Sequence, residues 1–372
     1  SGDRLTIYLG IDPTGPTLHL GHALNLQKLK ELQDLGHKII LLIGDFTAMI
    51  GDPTDKLAAR KQQTREEVLE NCKVYKQQAS RLLDFDGPNA AEMKFNSAWL
   101  AKMSFEDVVN LAAHFTVQQM MERDMFEKRI ENGVPVHLHE FMYPLMQGYD
   151  SVAMDVDMEI GGNDQTFNML AGRTLMKEMK GKEKFVVTQK LLADPSGKKM
   201  GKTEGNIISF NDEPKDVYGK VMSWTDEMIV PGFEICTQRT GKEIDAIKKK
   251  MEEGENPMTF KRELASDVVA WLCGADKVEA AAAAFSRVHQ EGERPEEMPE
   301  FPVKAPRIPL VDGLVIAKLV TSKTEARRQI EQGAIKVDDQ KVTNPNTPLM
   351  LTESGVVIQK GKRHFAKLYH KL

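Results

Sequence analysis

The fold of this chain is decided by one stretch near its start, Arg4-Leu-Thr-Ile-Tyr-Leu-Gly-Ile-Asp-Pro-Thr-Gly-Pro-Thr-Leu-His-Leu-Gly-His22. Residues 4–10 alternate in polarity and end in glycine, which predicts a strand. Turn-forming residues fill 11–17, and leucines then recur near a 3.6-residue period up to Gly36, which predicts a helix. The apolar run 39–43 predicts a second strand that is buried on both faces.

A strand, a turn, a helix and a second strand make a βαβ unit, which predicts an α/β fold with a doubly wound, Rossmann-like parallel sheet. The patterns at 154–163 and 183–192 predict further strands, and those at 64–83 and 105–131 predict long helices. The predicted organisation is a Rossmann-like catalytic domain (1–211), an α-helical domain (212–291), a Pro- and Glu-rich linker (292–309) and a small α+β domain (310–372).

Composition is that of a soluble globular protein, since 41% of the 372 residues are hydrophobic and 28% are charged. The longest apolar run, Ile39–Ile43, is far shorter than the roughly 20 residues of a membrane span, and the first residues carry no secretory signal. The three cysteines (Cys72, Cys236 and Cys273) lie far apart, which excludes a disulfide framework and a Cys-rich zinc site. A reducing cytoplasm is therefore the expected compartment.

Charge is spread unevenly along the chain. Residues 304–372 hold 13 Lys and Arg against 6 Asp and Glu, a net charge of +7, which leaves −12 for the rest of a chain whose total is −5. A basic tail on an acidic body suggests a polyanionic partner for the tail. On charge alone, a solvated Lys-rich surface is the commoner explanation.

The first candidate site is His19-Leu-Gly-His22, where the predicted helix opens directly after the first strand. Two histidines at a helix N-terminus suit a phosphate group, and Gly21 lets a nucleotide approach the backbone. A metal site would need more ligands than the pair supplies, and the dinucleotide pattern G-x-G-x-x-G is absent from this turn. In most sequences such a pair would be two surface histidines, so this pattern is weak alone.

The second candidate site is Lys198-Lys-Met-Gly-Lys-Thr203, inside a glycine-containing loop. Lysines three positions apart beside Gly and Thr can surround a polyphosphate and neutralise the charge that builds on it. The stretch does not match a Walker loop, and alone it would be a solvated basic loop. The two signals in this order, about 180 residues apart, are far more specific than either one.

Together these motifs resemble the two signatures of class I aminoacyl-tRNA synthetases, in the form typical of the tyrosyl family. Between them stand segments similar to that family's substrate-binding segments: Phe46–Pro53, Tyr143–Asp150 and Ile160–Gln165. The resemblance covers nearly the whole chain. Gly201 replaces the more usual serine of the second signature, as in many tyrosyl enzymes, and the family's helical segment before the first strand is missing, as expected of a trimmed or incompletely recorded product.

The resemblance implies that tyrosine attacks the α-phosphate of Mg-ATP and is then passed to a tRNA. ATP is thus expected as a substrate with Mg²⁺, with no tightly bound cofactor and no protein metal site. The residues implied around the phosphates are His19, His22, Lys199, Lys202 and Thr203. Those implied to bind ATP are Gly10, Asp12, Gly21, Gly161, Gly162, Asp164 and Lys202.

The resemblance also implies a tyrosine pocket. Its ammonium set is Asp52, Tyr143 and Gln147, its phenol pair is Tyr8 and Asp150, and Thr47 and Gln165 line the remainder. A buried Asp150 would be left without a donor by phenylalanine, which would set the specificity. Without the surrounding motifs, Tyr143 and Gln147 would mean only helix packing at i and i+4.

The tail 310–372 resembles an S-four-type RNA-binding domain. Ser322–Ile330 predicts a helix with a basic face, and Lys323, Arg327 and Arg328 are its candidate RNA contacts. The helical domain would then recognise the anticodon. The family further implies a cytoplasmic homodimer whose partners are tyrosine, ATP and tRNA(Tyr), without a membrane.

Two rival interpretations remain open from the sequence. A tryptophanyl-tRNA synthetase shares the fold and both signatures, although Asp150 beside Gln147 and the basic tail favour tyrosine. A non-catalytic RNA-binding descendant could lose its phosphate ligands, yet His19, His22 and the loop lysines are all present.

Overall fold

The structure, a computed structural model, describes residues 2–52, 63–193, 207–287, 298–361 and 364–371. The predicted loop residues Lys199, Lys202 and Thr203 lie outside these ranges. The chain forms two compact units, residues 1–276 and 277–372.

The first unit is built on a parallel sheet. Its described strands are β1 (Thr6–Ile11), β2 (Lys38–Ile43), β3 (Glu92–Phe95), β4 (Met158–Gly162) and β5 (Phe185–Gln189). Their order is β3-β2-β1-β4-β5, with every neighbouring pair parallel. The strand order reverses between β1 and β4, so the predicted doubly wound sheet is confirmed, and ligands bind at such a switch point.

Helices cover the sheet and continue beyond it. Those described in the first unit are α1 (Leu20–Asp34), α2 (Thr47–Ile50), α3 (Arg65–Cys72), α4 (Tyr75–Ala79), α5 (Ser97–Leu100), α6 (Phe105–Ala112), α7 (Val117–Met121), α8 (Asp124–Glu131), α9 (Leu138–Met154), α10 (Thr166–Lys180), α11 (Pro214–Met222), α12 (Ile229–Cys236), α13 (Gly241–Glu252) and α14 (Pro257–Cys273). Over the described ranges, none of the helices has the length and apolar character needed to cross a bilayer.

The opening βαβ unit is confirmed, and Gly36 follows α1 with a φ of 91°, a conformation that glycine adopts easily. The long helix predicted over 105–131 is wrong. It is broken into α6, α7 and α8, because Thr116 caps a new helix by accepting a hydrogen bond from the Gln119 backbone N–H. The helix predicted over 64–83 is likewise two short helices, α3 and α4.

The strand predicted at 154–163 starts later than expected, because Met154 still belongs to α9. Strand β3 was not predicted at all. It lies at the edge of the sheet, where Glu92 forms an ion pair with Lys38 (2.7 Å), and charged residues conceal the strand pattern.

The second unit has its own sheet and core. Its described elements are α15 (Val278–Ser286), β6 (Glu300–Val303), β7 (Arg307–Pro309), α16 (Leu310–Ile316), α17 (Lys323–Glu331), β8 (Ile335–Val337), β9 (Gln340–Val342), β10 (Pro348–Met350), β11 (Val356–Lys360) and β12 (His364–His370). One sheet has the order β6-β12-β11-β8-β9, and β7 pairs with β10. The core includes Leu310, Leu314, Ile330, Ile358 and Leu368.

The Pro-rich segment 292–309, predicted to be a linker, supplies β6 and β7 to this unit. Strand β6 lies at the edge of its sheet, where Pro302 can be accommodated without breaking a central ladder. The composition alone does not reveal this, because proline is read as a strand breaker.

Candidate active site

The carboxyl ends of the central strands carry most of the predicted site residues. Tyr8 and Gly10 lie on β1, and Asp12 follows it directly. The strands and helices around them bring in Thr47 and Asp52 after β2, Gly161 and Gly162 at the end of β4, Asp164 and Gln165 just beyond it, and Tyr143, Gln147 and Asp150 on α9. The α/β sheet therefore gathers residues as far apart in the sequence as Tyr8 and Gln165.

Asp12 is held through both of its carboxylate oxygens. Tyr143 donates its phenolic proton to Oδ2 (2.7 Å), and Thr47 donates its hydroxyl proton to Oδ1 (2.7 Å). A side chain at Gly44 would collide with the Asp12 carboxylate and the Thr47 hydroxyl. Burial, together with the nearby Asp12 and Asp52, raises the pKa of Tyr143 well above its usual range, so Tyr143 stays a donor.

Asp150 is buried and accepts hydrogen bonds from two side chains. The indole Nε1 of Trp99 donates to Oδ1 (2.7 Å), and the Asn96 amide donates to Oδ2 (3.2 Å). Burial raises the pKa of the Asp150 carboxyl well above its usual range, against the lowering effect of these two donors.

Asn96 links this carboxylate to the Asp12 cluster, since its amide nitrogen also donates to the Thr47 hydroxyl (3.1 Å). Its own oxygen accepts the Phe46 backbone N–H (2.9 Å), which fixes the orientation of the amide. A continuous row of hydrogen bonds thus runs along the strand ends through Tyr143, Asp12, Thr47, Asn96, Asp150 and Trp99.

Tyr8 is fully buried close to Asp150. Its hydroxyl lies 3.0 Å from the Ser151 hydroxyl, and burial together with Glu159 and Asp150 raises the pKa of its phenol well above the usual range. The predicted partners Tyr8 and Asp150 are therefore close neighbours, but Asp150 has its described hydrogen bonds with Trp99 and Asn96.

Asp52 forms a second polar group beside the pocket. Gln165 donates its amide proton to Asp52 Oδ2 (2.7 Å), and Asn168 on α10 donates to the Gln165 oxygen (3.0 Å). The carboxylate and the amide of this predicted tyrosine set are thus brought together.

Gln147, the remaining member of the ammonium set, faces an acid that the sequence interpretation missed. Its amide nitrogen donates to Glu159 Oε1 (2.9 Å), and Glu159 Oε2 accepts a proton from Lys184. Lys184 is itself fully buried. In the sequence, this pair is indicated only by the charged residues Glu159 and Lys184 within the strands predicted at 154–163 and 183–192.

His19 and His22 lie at the N-terminus of α1 with their ring centroids 3.9 Å apart. A Cβ at Gly21 would lie 3.1 Å from His19 Cε1, so glycine leaves room for the imidazole. Ser209 pairs with His19, and the Ile208 carbonyl accepts the Leu20 N–H (2.8 Å). The chain thus returns beside the histidines directly after residues 194–206.

The predicted ATP glycines differ in their surroundings. Gly10 is exposed, and a Cβ there would meet none of the atoms of the described residues within 4 Å. A Cβ on Gly161 would lie 2.9 Å from Met169 Sδ, and one on Gly162 would collide with the Asp164 carboxylate. Glycine at 162 therefore allows Asp164 to lie close to the end of β4.

The predicted RNA contacts lie on α17 of the second unit. Ala326 and Ile330 are buried, whereas Arg327 and Arg328 are exposed. Lys323 is exposed and forms an ion pair with Asp312 (2.7 Å). All three predicted RNA contacts are therefore exposed on this helix.

Comparison with known proteins gives the family. Residues 1–290 match the family described as tRNA synthetases class I (W and Y), and residues 290–368 match the Tyrosine--tRNA ligase SYY-like C-terminal domain. The chain is 44% identical to the Tyrosine--tRNA ligase of Geobacter metallireducens, over 100% of this chain and 92% of that protein. The chain belongs to the tyrosyl-tRNA synthetase family.

A second member of the tyrosyl-tRNA synthetase family, the Tyrosine--tRNA ligase of Moorella thermoacetica, is 43% identical over 99% of this chain and 89% of its own length. Two solved structures share the fold. The C-terminally truncated Aspergillus nidulans mitochondrial enzyme has a TM-score of 0.63 at 21% identity, covering 77% of this chain and 86% of its own. The Archaeoglobus fulgidus tyrosyl-tRNA synthetase complexed with L-tyrosine has a TM-score of 0.58 at 24% identity, covering 74% of this chain and 90% of its own.

Tyrosyl-tRNA synthetases are ATP-dependent ligases, and this chain is an enzyme of that class. The general reaction of the family has two steps, in which tyrosine is first activated with ATP and then transferred to tRNA. The predicted enzyme class and reaction are therefore confirmed by the family.

Proposed function

We propose that the strand ends of the first unit bind tyrosine with its ammonium group at Asp52, Tyr143 and Gln147. The phenol would lie between Tyr8 and Asp150, with Thr47 and Gln165 lining the pocket. The observation that carries this assignment is the row of hydrogen bonds from Tyr143 to Asp150. It fixes the orientation of the Asp12 and Asp150 carboxylates, which are the acceptors of the proposed pocket. Acceptors suit both an ammonium group and a phenolic proton.

ATP is proposed to bind beside tyrosine, over the open surface at Gly10 and against Asp12, Gly21, Gly161, Gly162 and Asp164. The exposure of Gly10 and the helix N-terminus at His19 and His22 support this position. ATP would enter with Mg²⁺ on its phosphates.

In the first step, a carboxylate oxygen of tyrosine attacks the α-phosphorus of ATP, and the bond to the bridging oxygen of the β-phosphate breaks. Pyrophosphate leaves with that electron pair. The attacking group is already an anion, so the reaction depends on positioning and on charge stabilisation rather than on a general base. His19, His22, Lys199, Lys202 and Thr203 are proposed to supply that stabilisation.

The return of the chain at Ser209 beside His19 supports a common location for both signatures. The loop residues themselves lie outside the described ranges, so their role rests on the sequence. In the second step, a hydroxyl of the terminal tRNA ribose attacks the carbonyl carbon of the adenylate, and AMP leaves.

The second unit is proposed to bind tRNA(Tyr) through Lys323, Arg327 and Arg328, and the helical region 212–291 is proposed to recognise the anticodon. The exposed basic side chains of α17 and the net charge of +7 over residues 304–372 support the first assignment. The boundaries after 211 and 291 remain part of this proposal.

The enzyme is further proposed to act as a cytoplasmic homodimer. Support for the dimer comes from large apolar side chains that are exposed within the segment 105–138, namely Phe105, Val109, Val117, Ile130 and Leu138. Sedimentation of the intact protein tests this assignment, and a monomer at micromolar concentration would overturn it.

The proposed chemistry is tested by ATP–pyrophosphate exchange with tyrosine, phenylalanine and tryptophan. Exchange with tyrosine alone is expected, and equal exchange with tryptophan would overturn the tyrosine pocket. Lys202→Ala should lower kcat by roughly 100-fold or more while KM for tyrosine changes little, because the lost donor acts on the transition state. Normal kcat with weaker tyrosine binding would contradict the role of the loop.

A further inference from the structure

Glu159 and Lys184 form a buried ion pair that the reaction above does not use. All three ammonium protons of Lys184 have acceptors: Glu159 Oε2, the Ser151 hydroxyl (2.8 Å) and the Met169 carbonyl (3.1 Å). Both charged side chains are at most 2% exposed. A buried pair of this kind is seldom kept for stability alone, since apolar residues of similar volume often serve as well.

The fold makes room for this ammonium group at one glycine. A Cβ at Gly172 on α10 would collide with Lys184 Nζ and would lie 2.9 Å from Ser151 Oγ. The same Cβ would lie 3.4 Å from Gly148 Cα on α9. The close crossing of the two helices therefore leaves the space in which Lys184 meets Ser151.

At one end of the pair, Glu159 fixes the orientation of the Gln147 amide. An ionised carboxylate only accepts hydrogen bonds, so the contact of 2.9 Å must come from Gln147 Nε2. The amide oxygen then remains as the group that Gln147 offers to a ligand. An ammonium group requires an acceptor of this type.

At the other end, Lys184 sets the direction of the bond between Ser151 and Tyr8. An ammonium group only donates, so the Ser151 oxygen accepts from it. The cation polarises the Ser151 hydroxyl and favours it as the donor to Tyr8, 3.0 Å away. The proton of Tyr8 is then directed away from Ser151, either to the Glu159 carboxylate, which also interacts with this hydroxyl, or to a phenolic oxygen whose own proton goes to Asp150.

We infer that the Glu159–Lys184 pair sets the hydrogen-bond polarity of the tyrosine pocket at both ends. It presents an acceptor at Gln147 and a donor at Tyr8, so that these two charged residues are positioning residues for tyrosine. The inference rests on the proposed assignment of Gln147 to the ammonium group and Tyr8 to the phenol.

The phenol end is tested with Ser151→Ala, a small change that leaves the ion pair in place. KM for tyrosine in pyrophosphate exchange should rise roughly twofold to tenfold, while KM for ATP stays unchanged. The inhibition constant of phenylalanine should not change, because this ligand has no phenol. An equal loss of affinity for both amino acids would overturn the inference.

The ammonium end is tested with Glu159→Gln, whose amide can no longer dictate the orientation of Gln147. Affinity for tyrosine should fall more than affinity for 3-(4-hydroxyphenyl)propionate, which lacks the ammonium group. Equal losses for the two ligands would overturn this half. Glu140→Gln is the matched control, since it removes the acid of the buried Arg129–Glu140 pair elsewhere in the unit. It should lower Tm without changing the ratio of the two affinities.

Tyr8→Phe separates failure of the inference from failure of the pocket assignment. If Tyr8→Phe weakens tyrosine selectively and Ser151→Ala does not, the inference is overturned and the assignment stands. If neither variant distinguishes tyrosine from phenylalanine, the assignment of the phenol site fails and the inference fails with it.

Discussion

Tyr143 donates its phenolic proton to Asp12 at 2.7 Å, although 131 positions separate the two residues in the chain. Tyr143 lies on α9, and Asp12 follows β1 on the side proposed for ATP. The bond therefore joins a residue proposed for the tyrosine ammonium to one proposed for the nucleotide. Binding of the two substrates is expected to be sensitive to the same contact.

Tyr143→Phe should raise KM for both tyrosine and ATP, each by roughly twofold to tenfold, because Asp12 loses a donor to its Oδ2 atom. Steady-state pyrophosphate exchange measures both constants. Tyr149→Phe on the same helix is the control and should leave both unchanged. A rise confined to tyrosine would show that the two sites do not share this contact.

Asp150 should give tyrosine activation an acid limb at unusually high pH. Its pKa is raised by burial, and the carboxylate is the form that accepts the phenolic proton. As pH falls, the carboxylate is therefore protonated at a higher pH than an ordinary Asp, whose pKa is about 3.9. The dependence of kcat/KM for tyrosine on pH should show this limb, and the residual activity of Asp150→Asn should not. An unchanged limb in the variant would assign it to another group.

The same carboxyl should also affect stability. Because folding raises the pKa of Asp150, the native state binds more protons than the unfolded state. The contribution of Asp150 to the free energy of unfolding therefore decreases as pH rises above its unfolded pKa. The difference in Tm between the parent protein and Asp150→Asn should accordingly change as pH rises above the pKa of about 3.9 of an ordinary Asp.

Gly10→Ala should affect ATP without disturbing the fold. The added Cβ meets no atom of the described residues within 4 Å, so Tm should stay unchanged, whereas KM for ATP should rise roughly tenfold because the methyl group enters the proposed nucleotide space. KM for tyrosine is the internal comparison and should change little. Gly219→Ala, also in open space on α11, is the control and should change neither constant. An unchanged KM for ATP would show that the nucleotide does not bind against Gly10 of β1.

Arg327→Gln combined with Arg328→Gln should weaken tRNA charging and leave pyrophosphate exchange intact. Each phosphate contact that is lost should flatten the logarithmic salt dependence of tRNA affinity by roughly 0.7–0.9. Lys102→Gln with Lys180→Gln removes the same charge from exposed positions of the first unit and is the control. If both double variants reduce affinity alike, the effect belongs to net charge and not to α17.

The opening βαβ unit was predictable from sequence because its signals are local. Leucine spacing, Gly36 and the apolar run in β2 each act over a few residues. Strand β3 was not predictable in this way, since Glu92 and Lys94 are tolerated only because the strand is at the edge of the sheet. The proline-containing strands β6 and β7 were also not predicted, because the strands with which they pair, β12 and β10, lie elsewhere in the sequence of the second unit.

The site residues also divide into those with a local sequence signal and those defined only by distant neighbours. Tyr143 and Asp150 were found because they stand in a segment that resembles the family, and their roles stay predictions. Ser151, Asn96 and Lys184 have no such signal, since each is defined only by neighbours that the fold brings together. Gly44 was missed because its contribution is space for Asp12 and not a functional group.

Gly172 carries a consequence for how such sequences diverge. The space that it leaves is filled by the ammonium group of Lys184, and a methyl group at position 172 would occupy that space instead. An alanine there would force the Lys184 ammonium group to shift away from its acceptors, so the two positions are expected to change as a pair. A change at position 172 alone, or at position 184 alone, would be harmful. The buried cation is therefore an evolutionary barrier to replacing either residue singly.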